Sequence, residues 1–107
     1  AVPQAIAIPG FDEITITLSI VVDGSQWQIS GALIPANPVL QGVALRLYAL
    51  SGLPSARSIA AVIEATVDDF DTFSFEPVAI GQYVLTIALP EGEVGLTFIG
   101  GPGASDV

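Results

Sequence analysis

Ile14-Thr15-Ile16-Thr17-Leu18-Ser19-Ile20-Val21-Val22-Asp23-Gly24-Ser25-Gln26-Trp27-Gln28-Ile29-Ser30-Gly31-Ala32-Leu33 is the stretch that decides the fold class. Ile14, Ile16, Leu18, Ile20 and Val22 recur at every second residue, with Thr15, Thr17 and Ser19 between them. A period of two puts the two sets on opposite faces of a strand; a helix requires about 3.6. β-Branched side chains suit that pleated setting because their restricted χ1 costs little there. Asp23-Gly24-Ser25 then interrupts the run with a turn, where Gly24 is free to take positive φ. Beyond it Trp27, Ile29, Gly31 and Leu33 alternate with Gln26, Gln28, Ser30 and Ala32. The stretch predicts a β-hairpin with one apolar face.

The same alternation continues outward. Pro35-Ala36-Asn37-Pro38 breaks the pairing, since proline has no N–H for a ladder. Val43, Leu45, Leu47 and Ala49 form an inward row opposite Ala44, Arg46 and Tyr48. Ser58 to Val67 fits two templates: Ile59, Ala61, Ile63, Ala65 and Val67 alternate, while Ile59, Val62, Ile63 and Thr66 sit at helical spacing. Strands on both sides favour a strand. Asp68-Asp69-Phe70-Asp71 is an acidic turn, and Thr72 to Glu76 carries Phe73 and Phe75 on one face. Tyr83, Leu85, Ile87 and Leu89 face inward, Pro90-Glu91-Gly92-Glu93 turns, and Val94, Leu96 and Phe98 close the last strand. About seven strands with turn signals at intervals of about 8–12 residues describe an all-β sandwich or small barrel.

Composition narrows the function. The chain has 107 residues, enough for one domain, with two Arg, no Lys and eleven Asp and Glu, for a net charge of −9. It has no His, Cys or Met. Cys–His zinc sites, disulfides, thiol chemistry and a serine–histidine triad are therefore excluded. Two cations do not neutralise a phosphate backbone, so nucleic acid is not an expected partner. The longest uncharged stretch, Gly24 to Leu45, contains prolines, glycines and amides, so membrane insertion is not expected. Hydrophobic residues make up 51% and charged residues 12%, with a mean hydropathy of +0.73. A small domain has a high ratio of surface to volume, so this excess predicts apolar surface covered by another chain.

From Gln28 the ordered signals Ile29-Ser30-Gly31-Ala32-Leu33, Leu40-Gln41-Gly42-Val43-Ala44-Leu45-Arg46-Leu47, the acidic turn, Phe73-Ser74-Phe75 and Ile80-Gly81-Gln82-Tyr83-Val84-Leu85-Thr86-Ile87 resemble the carboxypeptidase regulatory-like and collagen-adhesin B-type domains. Their pattern runs I-x-G-x-V, L-x-G-V-x-V-x-L, D-x-x-G-x-F-x-F and G-x-Y-x-L-x-V. The likeness covers about 70 residues, from Gln28 to roughly Phe98. It implies a seven-stranded prealbumin-like (Greek-key) sandwich, here with an extra N-terminal strand or arm. The usual glycine of the acidic turn is replaced, with Phe70 in its neighbourhood. The Lys–Asn crosslink often found in the collagen-adhesin type is impossible without lysine.

Residues 1–13 then form an N-terminal arm, 14–99 the sandwich and 100–107 a flexible tail. The arm segment Gln4-Ala5-Ile6-Ala7-Ile8 is a short apolar strand between Pro3 and Pro9-Gly10. Two fates are open to it: folding back as an edge strand of its own sandwich, or completing the sheet of a neighbouring subunit with Val2, Ile6 and Ile8 as anchors. Head-to-tail contacts of the second kind build a homopolymer. Asp68, Asp69 and Asp71, with Glu76, are the one candidate for a cation such as Ca²⁺, although their spacing is not that of an EF-hand and a solvated acidic turn is the plainer reading. The pattern calls for no cofactor and no catalytic residues. A start at Ala1-Val2-Pro3 suits a cleaved secretory leader. The expectation is a non-enzymatic extracellular or cell-surface subunit that assembles with itself into a filament, pilus or surface layer. The alternative is an accessory module of a larger secreted or cell-surface protein, binding a glycan or another surface protein. Trp27, the one tryptophan, is a candidate stacking platform, but its alternation with Ile29 and Leu33 favours a core or subunit contact.

Overall fold

The computed structural model describes residues 4–35, 38–52, 56 and 58–100. Among these, strand residues dominate and the one helix is a single 3-10 turn, Pro38–Leu40. The decisive stretch is a hairpin: β2 (Phe11–Asp23) pairs antiparallel with β3 (Gln26–Ile34), with Asp23 opposite Gln26 across the turn. Gly24 has a φ of 63° there. Before it lies β1 (Gln4–Ile8); after it come β4 (Ala44–Ser51), β5 (Ser58–Thr66), β6 (Thr72–Ser74), β7 (Val78–Ala79), β8 (Gln82–Leu89) and β9 (Gly92–Ile99). One sheet has the order β1-β2-β3-β6, with β7 also on β3; the other has the order β5-β4-β8-β9. Every pairing is antiparallel.

The chain is thus an all-β, two-sheet sandwich, with nine strands among the described residues rather than seven and an arm. The extra strand is β7: Pro77 cannot extend the β6 ladder, so pairing with β3 resumes as a separate short strand. Ser58–Thr66 is a strand, as its neighbours suggested. The core lies between the sheets, where Ile16, Ile29, Leu45, Leu47, Leu85 and Ile87 are fully buried. Each such side chain contributes roughly 1.5–3 kcal/mol on burial. Gly31 sits where a Cβ would come within 2.6 Å of the Phe73 ring and 2.8 Å of the Thr17 carbonyl oxygen. Its missing side chain is what lets Phe73 cross β3 and pack edge-on to Phe75, with ring centroids 5.9 Å apart.

The arm takes the fold-back course. Pro9-Gly10 turns the chain, and Ile6 pairs with Ile16 of its own β2. Ile6 and Ile8 are buried in the chain's own core, so they are not exposed anchors for a neighbour; Val2 lies outside the described residues. β2 starts at Phe11, so the expected boundary between residues 13 and 14 falls inside a strand. Of the expected tail, 101–107 lie outside the described residues.

Two irregularities reverse expected faces. In β9, Leu96 is an extra residue between the pairs Thr86↔Gly95 and Leu85↔Thr97. Such a bulge shifts the period by one. Ile99 is consequently buried and Phe98 is 60% exposed, although Phe98 alternates with Val94 and Leu96. In β5, Ala60 is the extra residue between Leu50↔Ile59 and Ala49↔Ala61, and Ile59 is exposed.

Candidate functional site

The acidic turn does not assemble a cation site. Among the described residues no group of three or more Asp or Glu is placed to hold a metal ion. The Asp68 carboxylate is occupied by its own turn: it accepts hydrogen bonds from the Phe70 and Thr72 amides at 2.9 and 3.0 Å and from the Thr72 hydroxyl at 2.7 Å. Those bonds, the Thr72 hydroxyl foremost, hold its carboxyl below the usual carboxylate range. Asp69 contributes its backbone carbonyl, which accepts from the Gln41 side chain. Asp71 has a φ of 60°, is 8% exposed, and has a buried Oδ1 with no hydrogen-bond partner. The backbone therefore places the position suited to glycine at Asp71 rather than at Phe70, which is exposed. Glu76 is exposed one strand-end away.

The two sheets differ in what they turn outward. On β2, β3 and β6 the outer face is largely hydroxylic, with Thr15, Thr17, Ser19, Ser30, Thr72 and Ser74. On the other sheet the register aligns Val62 of β5, Tyr48 of β4, Val84 of β8 and Phe98 of β9 in one row across all four strands. Val62 and Phe98, at the two ends of the row, are 51% and 60% exposed. Ile59 and Leu50 form a second apolar pair beside it. Opposite ends of this face thus differ in chemistry, because the next row carries Glu64, Arg46 and Thr86.

Arg46, the one described cation, closes that polar end. It donates to Glu64 at 2.9 Å and to Glu93 at 3.1 Å. Glu93 also accepts from the hydroxyls of Thr86 and Tyr48. These hydroxyls, with Arg46 behind them, hold the Glu93 carboxyl below its ordinary range, and the bond to Glu93 holds the Tyr48 phenol up. One guanidinium thus serves two carboxylates, and the cluster is a surface clasp across β5, β4 and β9. The other cation, Arg57, lies outside the described residues.

A shallow hollow opens at one end of the sandwich, lined by Ile20, Trp27, Ile80, Gln82, Ile99 and the backbone of Gly81 and Gly100, with a volume of about 530 Å³. Trp27 is half-buried and its ring tilts at 54° to Tyr83, 6.3 Å away. Tyr83 is buried and donates its hydroxyl to the Ala79 carbonyl. Trp27 is therefore neither a closed core residue nor a free platform; it is one wall of an apolar recess.

The sequence missed the outer row. Gly95 in mid-strand was the available signal for the bulge that exposes Phe98. Nothing in local pattern marks the exposure of β5. No family model, no curated protein and no solved structure matches this chain.

Proposed function

We propose that this chain is a non-enzymatic structural subunit that acts outside the cell by associating with copies of itself in a filament, pilus or surface layer. The observation that carries the reading is the apolar row Val62–Tyr48–Val84–Phe98, which spans an entire sheet on the side facing solvent. An exposed Phe and Val row of that extent is the kind of surface that a partner covers. The arm has no part in this reading, since its Ile6 and Ile8 serve the chain's own core. A net charge of −9 opposes association of copies and is screened by salt. Sedimentation and electron microscopy of the full chain across salt concentration test the proposal. The expected result is a particle heavier than the 11.0 kDa chain, growing with salt; a monomer at every salt and protein concentration defeats it.

The hollow beside Trp27 favours a second reading, an accessory module that binds a glycan or a surface protein at that end of the sandwich. A change in the emission of the single tryptophan on titration with oligosaccharides separates this reading from the first.

A further inference from the structure

We propose that the exposed edge of β5 is the contact surface of a two-fold dimer, in which β5 pairs antiparallel with β5 of a second copy about an axis through Val62. The inference rests on the self-association reading and assigns it a place and a register.

The four edges of the sandwich are not equally protected. β1 is five residues long and is followed by Pro9-Gly10. β6 and β7 are three and two residues long, with Pro77 between them. β9 carries two glycines and the Leu96 bulge. Short length, proline and bulges are the usual ways of blunting an edge. β5 is nine residues long, and its one such device, the bulge at Ala60, leaves Ala61–Thr66 regular. From Ser58 to Ile63 it carries no charge and no proline. Five of those six residues are exposed, Ala61 on the sandwich side included. No described strand pairs with the outer N–H and C=O groups along this edge, and such groups call for a strand.

Charge and register select a second copy as that strand. For a two-fold axis normal to the sheet, residue pairs must sum to an even number, so that each residue keeps its face in both copies. The pairing centred on Val62 sets Ala61 against the other copy's Ile63 on either side of the axis, and the regular ladder ends there, because the next position would oppose Glu64 to the bulged Ala60. The outer row then runs unbroken from Phe98 through Val84, Tyr48 and Val62 into the same residues of the second copy in reverse. The two Glu64 carboxylates lie four residues apart along the strands, about 14 Å at about 3.4 Å per residue, beyond a Debye length of about 8–10 Å. Each Glu64 is already paired with its own Arg46. An acidic chain thus meets its copy along a neutral edge without opposing carboxylates. The product is a continuous eight-stranded sheet, and because the axis closes, this contact alone stops at the dimer.

Sedimentation equilibrium of the full chain, Val62→Lys and Val21→Lys tests the assignment. Val21 is 52% exposed on the other sheet and serves as the matched control. At low salt, where the charge of −9 holds larger assemblies apart, the expected result is a wild-type species of twice the chain mass, V21K the same, and V62K monomeric with an unchanged circular dichroism spectrum, because two lysines would face each other at the axis. Val62→Cys supplies a second measurement that does not depend on a charged substitution. Opposed Cβ atoms at about 4.5–5.5 Å can form a disulfide with small adjustment, and the chain has no other cysteine. V62C is expected to crosslink into a dimer on mild oxidation at concentrations where V21C does not. If copies assemble but V62K assembles equally and V62C does not crosslink, the β5 contact is wrong and self-association stands. If the wild type is monomeric throughout, both fall.

Discussion

Replacing Asp71 by glycine is expected to stabilise the protein. Asp71 follows the turn capped by Asp68, and its backbone is held in place from both sides. The Leu33 amide donates to the Asp71 carbonyl at 2.8 Å, and the Asp71 amide donates to the Asp68 carbonyl at 3.1 Å. These bonds fix a φ of 60°, where a Cβ costs about 1–2 kcal/mol, aspartate lying towards the lower end. The buried Oδ1 has no partner, a desolvation cost of about 1–3 kcal/mol. Glycine removes both costs and returns about 0.5–1 kcal/mol through the greater freedom of the unfolded chain. The net expectation is a gain of about 1–3 kcal/mol, at about 4–8 °C in Tm per kcal/mol for a domain of this size. Urea denaturation followed by Trp27 emission measures it. Asp71→Asn separates the causes: asparagine tolerates the left-handed backbone and keeps a side-chain oxygen but removes the carboxylate charge, so equal gains in both variants assign the cost to burying that charge. A D71G protein no more stable than wild type would refute the account of this turn.

Three further outcomes follow from the packing. Gly31→Ala forces a Cβ against Phe73 and the Thr17 carbonyl, and is expected to destabilise by about 1–3 kcal/mol in the same urea assay. Ile8→Ala empties a site 1% exposed in the arm and is expected to cost about 2–5 kcal/mol at any dilution; a cost that disappears on dilution would mean that the site is completed by another copy. Asp68 and Glu93 both have carboxyls held below their ordinary range in the fold, so their stabilisation is complete above the unfolded pKa and is lost as pH falls through the folded one. Urea midpoints measured from neutral pH down through and below the usual carboxylate range should therefore fall more steeply for wild type than for Asp68→Asn or Glu93→Gln, and parallel curves would count against these hydrogen bonds.

The hairpin of β2 and β3 was legible because one period runs through both strands and a glycine marks the turn between them. The inward rows of β4 and β8 were legible for the same reason. The fate of the arm was not, because alternation in Gln4–Ile8 identifies a strand without naming its partner. Pro9-Gly10 suits a tight return, yet the same sequence also suits an exchanged strand. The inner geometry of the acidic turn was not legible: Asp68, Asp69 and Asp71 are neighbours in sequence, but backbone geometry turns one carboxylate onto amides and buries another. The outer apolar row was hidden for a different reason. It depends on register among four strands distant in sequence, and on where single residues are inserted.

That last dependence reaches beyond Phe98. With Leu96 present, the segment after it shows its phenylalanine to solvent and hides its isoleucine. Removing that one leucine, without substituting anything, would exchange the two. The hydrophobic character of this side of the molecule is thus governed by whether the count of residues in the final strand is odd or even, and length variation there alters stickiness more sharply than most amino-acid replacements.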